Sequence, residues 1–167
     1  NYGISFKGKF NSWEKAKQNS IGYENDNILK NIIKYANKVK RGEYAFERDS
    51  ILFKNKEYSP IFLLLFILIN EKKYKKINYL DFGGSLGSKY FQYIDLLKKN
   101  NFKWNVVEQK KFVQIGKEDF SNNNLNFYAS IKECQNNNNK IDVVYTSCVL
   151  QYVENPTEIL KQLLSLK

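Results

Sequence analysis

Three observations predict an α/β protein built on a doubly wound parallel sheet. Short apolar segments near 77–82, 104–108, 125–128 and 141–147 alternate with helical patterns near 88–99, 110–119, 131–135 and 157–166. A glycine-rich turn, Gly83-Gly84-Ser85-Leu86-Gly87, joins the first of these strands to its helix. An acid, Glu108, closes the second strand about twenty residues further on. Successive βα units of this kind favour parallel pairing with right-handed crossovers.

The chain has 167 residues, enough for one substantial core with an appendage. The division expected is an amino-terminal helical extension or cap, residues 1–74, and the cofactor-binding half of a Rossmann-like domain, residues 75–167. In the extension, Asn11 and Glu14 are spaced as a capping box and predict a short helix over 12–19, broken at Gly22. From Asp26, Ile28, Leu29, Ile32, Ile33, Ala36 and Val39 recur at helical spacing, and Gly42 follows as a stop. Residues 43–58 have no clean period and are expected to be irregular. Ser59-Pro60 then opens a helix whose apolar run, Ile61–Ile69, is too short for a membrane span of about 20 residues and reads as a buried core helix.

After Lys167 no strand is visible, so the fourth strand would be an open edge; the expectation is a sheet truncated after its fourth βα unit. The first residue is Asn1, and the sequence reads as part of a longer product.

The net charge of +10 has a plain source, since every basic residue except Arg41 and Arg48 is a lysine. Scattered lysines solubilise a fold; a nucleic-acid footprint favours clustered arginines with exposed aromatics. Cys134 and Cys148 lack ligand spacing and there is no histidine, so no metal site is expected. Two isolated thiols fit a reducing, cytoplasmic setting.

The turn discriminates among ligand classes. No Gly-Lys-Ser/Thr follows it, which excludes a P-loop, and a dinucleotide fingerprint starting at Gly83 would need glycines where Ser85 and Ser88 stand. The stretch Asp81-Phe82-Gly83-Gly84-Ser85-Leu86-Gly87 instead resembles the acid-x-Gly-x-Gly-x-Gly motif of class I S-adenosylmethionine-dependent methyltransferases, with Ser85 in place of the middle glycine. That resemblance implies a cofactor site of Asp81, Gly83, Gly84, Ser85 and Gly87, with Glu108 on the ribose and Gln109 near the adenine. Ser130, after the third strand, fits an adenine-edge position and a helix N-cap equally well. Ser147 and Cys148, after the fourth, would border the methionine end. Gln151 and Tyr152 would face the acceptor, although core packing explains Tyr152 as well.

The likeness extends along nearly the whole chain. Ser12-Trp13-Glu14-Lys15-Ala16, Gly22-Tyr23, Glu47-Arg48-Asp49-Ser50, Phe53, Tyr58-Ser59, Leu80 through Ser88, Trp104 through Gln109 and Ser147 through Tyr152 resemble a predicted methyltransferase family associated with bacterial surface-polysaccharide gene clusters. Ser85 agrees with that family, whose members continue beyond the point corresponding to Lys167.

The resemblance implies methyl transfer to a small molecule, such as a sugar or sugar-linked metabolite of surface polysaccharide. A noncatalytic cofactor-binding or scaffold subunit and an RNA methyltransferase are the alternatives. With no histidine, a general base must come from elsewhere. The Glu47-Arg48-Asp49 cluster is the remaining source, with Asp49 a candidate base and Arg48 a candidate clamp on an anionic substrate, while a salt-bridged loop anchor accounts for the same residues.

Overall fold

A computed structural model of the protein describes residues 8–20, 25–48, 50–71, 76–98 and 101–166. The central sheet has four strands, β3 (Ile77–Phe82), β4 (Phe102–Val107), β5 (Leu125–Tyr128) and β6 (Val143–Thr146), in the order β5-β4-β3-β6. Every neighbouring pair is parallel, with Tyr79 opposite Trp104 and Val143, and Trp104 opposite Leu125. The chain first winds outward through β4 and β5, then crosses back to β6 on the other side of β3. That reversal leaves a crevice beyond the carboxyl ends of β3 and β6, where ligands of open α/β sheets lie.

Alternation along the strands gives each face its own core. Tyr79, Trp104, Val106, Leu125 and Phe127 are buried with Leu29 and Ile32 of α2 (Asp26–Lys40), Phe62 of α3 (Pro60–Glu71), Tyr90 and Tyr93 of α4 (Ser88–Leu97), and Phe112 of α5 (Lys110–Ile115). Leu80 and Val107 turn the other way, toward Ile131 and Cys134 of α6 (Ile131–Asn136) and Leu163 of α7 (Pro156–Leu164). This is the doubly wound α/β class expected from the sequence, and no helix among the described residues is long and apolar enough to cross a membrane.

Several local expectations need correction. The first helix, α1 (Trp13–Gln18), is capped by Ser12, whose hydroxyl accepts the Lys15 N–H, so Asn11 is not the cap. The expected break at Gly22 lies outside the described residues.

Residues 43–58 are not wholly irregular. β1 (Phe46–Arg48) and β2 (Ile51–Phe53) form an antiparallel hairpin, with Phe46 and Phe53 stacked 4.5 Å apart. Three-residue strands are too short to display a period, which is why the hairpin is hidden in the sequence. Helix α3 is not a fully buried core helix: Phe62 is buried against Tyr93 and Trp104, but Leu64 and Ile67 are more than half exposed.

The helix expected over 110–119 changes at Gly116 into a π-helical turn, Gly116–Phe120. Gly116 is pressed against Phe127, so close that a Cβ there would lie 2.5 Å from the ring. Within the Asn136–Asn139 tract, Asn138 is buried and its amide donates to the Cys134 carbonyl at 2.8 Å, so the tract is partly structural.

Candidate active site

The site is assembled at the carboxyl ends of β3, β4 and β6. Gly83 follows β3 with φ +77°, and its N–H is held by the Val107 carbonyl at 2.9 Å. A Cβ at Gly83 would meet Val149 at 2.6 Å, and one at Gly84 would meet Asp81 Oδ2 at 2.5 Å. Both positions therefore favour glycine for space, and Gly83 for its conformation as well. Ser85 has φ +54°, the left-handed region that costs a side-chain-bearing residue energy. The residue that departs from the glycine pattern thus keeps the backbone conformation glycine favours. Gly87, with φ +87°, is the N-cap position of α4 and approaches Leu125 rather than the cleft.

Asp81 is buried, and the Trp104 indole N–H donates to its Oδ2 at 3.0 Å. Burial raises its pKa to about 7, against the lowering effects of the Trp104 hydrogen bond and of Lys89; Glu108 adds to the rise. A carboxyl at this poise gains from any cationic group that enters beside it.

Glu108 stands at the mouth of β4 with both oxygens engaged. Oε1 accepts the Ser85 N–H at 3.2 Å and Oε2 the Gln109 N–H at 2.7 Å. Desolvation raises its pKa while these two backbone donors oppose the rise. One side chain thereby ties the glycine turn to the next βα junction, and each carboxylate oxygen retains a lone pair for a ligand hydroxyl.

The remaining walls come from three loops. Ser130 caps α6 by accepting the Glu133 N–H at 3.0 Å, while Glu133 Oε2 accepts the Ala129 N–H at 2.7 Å. After β6, Ser147 precedes Cys148, a residue at φ +56°, and the turn continues to Tyr152, which is about half exposed.

On the opposite side, the β1–β2 hairpin leans on α4. Alternation sends Phe46 and Arg48 to one face and Glu47 to the other, where Glu47 is buried and accepts from the Ser88 hydroxyl and from the Ser50 N–H. The Arg48 guanidinium lies 5.1 Å from the centre of the Phe53 ring and 3.9 Å from Glu57.

These elements enclose one cleft of about 560 Å³. It brings together Asp81, Gly83, Gly84, Ser85, Glu108, Gln109, Ser130 and Ser147, the cofactor candidates other than Gly87, and also Arg48 and Tyr152. Asp49 lies outside the described residues. Glu47, which the sequence groups with Arg48 and Asp49, also lines the cleft, as do Ser88, Lys89 and Tyr145, to which the sequence assigned no role. No group of side chains suited to a metal ion occurs among the described residues.

No protein-family model matches the chain, and no curated protein matches it. Among solved structures it is similar to the SAH-bound methyltransferase PaMTH1 of Podospora anserina, with 12% sequence identity and a TM-score of 0.43 over 95% of this chain and 68% of that one.

Proposed function

We propose that the cleft binds S-adenosylmethionine and that the protein transfers its methyl group to a small hydroxylated acceptor, a sugar or sugar-linked metabolite. The observation that carries the cofactor assignment is the pairing of Asp81 and Glu108 at the ends of adjacent parallel strands, bridged by the glycine turn through the Ser85 N–H. A nucleoside carrying an aminoacyl tail needs both acids: one for a ribose diol, one near a cationic group.

The residues fit that ligand. Gly83 and Gly84 leave the backbone bare where a Cβ would collide with Val149 or Asp81, and the cleft volume suits a molecule of nucleoside size. Glu108 would accept from the ribose hydroxyls, Asp81 would face the amino group, and Gln109 and Ser130 would border the base. The bound cofactor supplies an electrophilic methyl group on a sulfonium. The chain's contribution is to hold an acceptor in line with that methyl and to exclude water. The sugar assignment rests on the family resemblance of the sequence.

Titration calorimetry with S-adenosylhomocysteine, alongside NAD and ATP, tests the reading. Binding of the first with neither of the others is expected. Absence of S-adenosylhomocysteine binding by the folded protein refutes the assignment, and binding without transfer to any acceptor favours a noncatalytic subunit. Salt-dependent RNA binding with methylation of RNA would replace the small-molecule acceptor.

A further inference from the structure

Resting on the methyltransferase reading above, we propose that Glu47 is the general base for a hydroxyl acceptor. The observation is positional. Glu47 is a carboxylate in a short hairpin, about 5% exposed, yet it borders the cleft beside Ser88, the first residue of α4 and the neighbour of the glycine turn. It enters from the hairpin side, whereas Asp81 and Glu108 enter from the strand ends. The cleft therefore carries a third acid on a wall the cofactor acids do not form.

Its surroundings hold it ready. The Ser88 hydroxyl and the Ser50 N–H both donate to it and fix its position at the cleft wall. Ser50, whose N–H makes one of these bonds, has φ +62°. The other charged and titratable groups lining the cleft are Arg48 on the same strand, Lys89 on α4, Asp81, Glu108 and Tyr145 on or just after the sheet strands, and Cys148 and Tyr152 in the loop after β6.

The step balances without a further reactant. A lone pair on the acceptor oxygen forms the O–CH3 bond, the C–S bond breaks with its electron pair going to sulfur, and the hydroxyl proton passes to a carboxylate oxygen of Glu47. The sulfonium becomes a neutral thioether and the carboxylate a carboxylic acid, which gives its proton to solvent.

The test uses the full chain saturated with S-adenosylhomocysteine and carrying 13C-carboxyl glutamate, with the Glu47 resonance assigned by its loss in E47Q. Free monosaccharides and their nucleotide-diphosphate forms are the probes. A probe that is an acceptor should shift the Glu47 resonance and change its titration. With S-adenosylmethionine, E47Q should then lower kcat for that probe by about 100-fold or more and abolish the acidic limb of the pH profile, leaving KM and S-adenosylhomocysteine affinity within about threefold. A purely structural anchor would not remove a pH limb selectively.

Three results overturn the proposal: no probe moves the Glu47 resonance, E47Q retains activity within about tenfold, or its activity and cofactor affinity fall together. Failure of the wild-type protein to bind S-adenosylhomocysteine instead refutes the underlying cofactor reading. Should E47Q not fold, S88A decides, since loss of the Ser88 donor should move the acidic limb upward, and an unmoved limb counts against Glu47.

Discussion

The two walls of the cleft are built by different physics. The sheet wall consists of Asp81, the glycine turn and Glu108, residues placed by strand ends, with the Glu108 carboxylate accepting the Ser85 and Gln109 N–H groups. The hairpin wall rests on packing of β1 against α4 and α2 and on side-chain contacts such as that from Glu47 to Ser88, 41 residues away. The first is rigid because parallel pairing fixes the register of its strands. The second is held by a few side chains and should yield more readily. A wall that recognises a constant ligand can be cut into the sheet, whereas one that recognises a variable ligand is more easily carried on an appended element.

The largest expected effect tests how far the sheet wall sacrifices stability for function. Asp81 has its pKa raised from 3.8 to about 7 by burial. The stabilising contribution of the protonated carboxyl is fully present below pH 3.8 and is lost as pH rises through about 7. Above that, the folded state bears the burial of a charge, on the order of 4 kcal/mol. D81N retains an acceptor for the Trp104 indole but carries no charge. Urea unfolding should therefore find D81N more stable than wild type at pH 8, with the gap narrowing by about 1.4 kcal/mol per pH unit below 7. Parallel stability profiles would show that Asp81 is not buried as a charge at alkaline pH.

Next in size is Gly84→Ala. The added methyl meets the carboxylate of the buried Asp81 at 2.5 Å, so the acid or the turn must shift to admit it. Overpacking of about 1–3 kcal/mol should weaken S-adenosylhomocysteine binding roughly 10–100-fold in calorimetry. Wild-type affinity would mean that the turn does not contact the ligand closely. Glu108→Ala sits just below it, with an expected loss of about 1–3 kcal/mol in binding from the charged hydrogen-bond partner. Because Glu108 also holds the Ser85 and Gln109 N–H groups, some of this should appear as lower thermal stability without ligand.

This division between walls also explains what could be read from the sequence. The sheet wall was legible because its signals are local: apolar strands, glycines where a Cβ collides, and an acid following the second strand. Even Ser85 could be placed, although only the structure shows that it keeps a left-handed backbone. The hairpin wall was not legible. Strands of three residues carry no period, and nothing near Glu47 in sequence points to Ser88 as its partner. The sequence narrows the base only to the Glu47-Arg48-Asp49 cluster, of which Glu47 and Arg48 lie among the described residues. In α3 the apolar run implied full burial, but burial depends on what covers a helix, and among the described residues Leu64 and Ile67 remain exposed.

The smallest expected effect concerns Ser130, where the sequence left cap and ligand contact equally open. Its hydroxyl accepts the Glu133 N–H, and Glu133 reaches back to the Ala129 N–H, a reciprocal cap that satisfies two donors at the start of α6. S130A should therefore cost about 1 kcal/mol of folding stability, the usual loss for an N-cap. That cap uses one lone pair of the oxygen; the proton and the second lone pair stay open to solvent at the exposed cleft edge, so a ligand bond there only replaces one to water. S-adenosylhomocysteine affinity should accordingly change by less than about threefold, which is under 1 kcal/mol. A larger loss of affinity with stability unchanged would move Ser130 from the scaffold of the sheet wall to its ligand-binding surface.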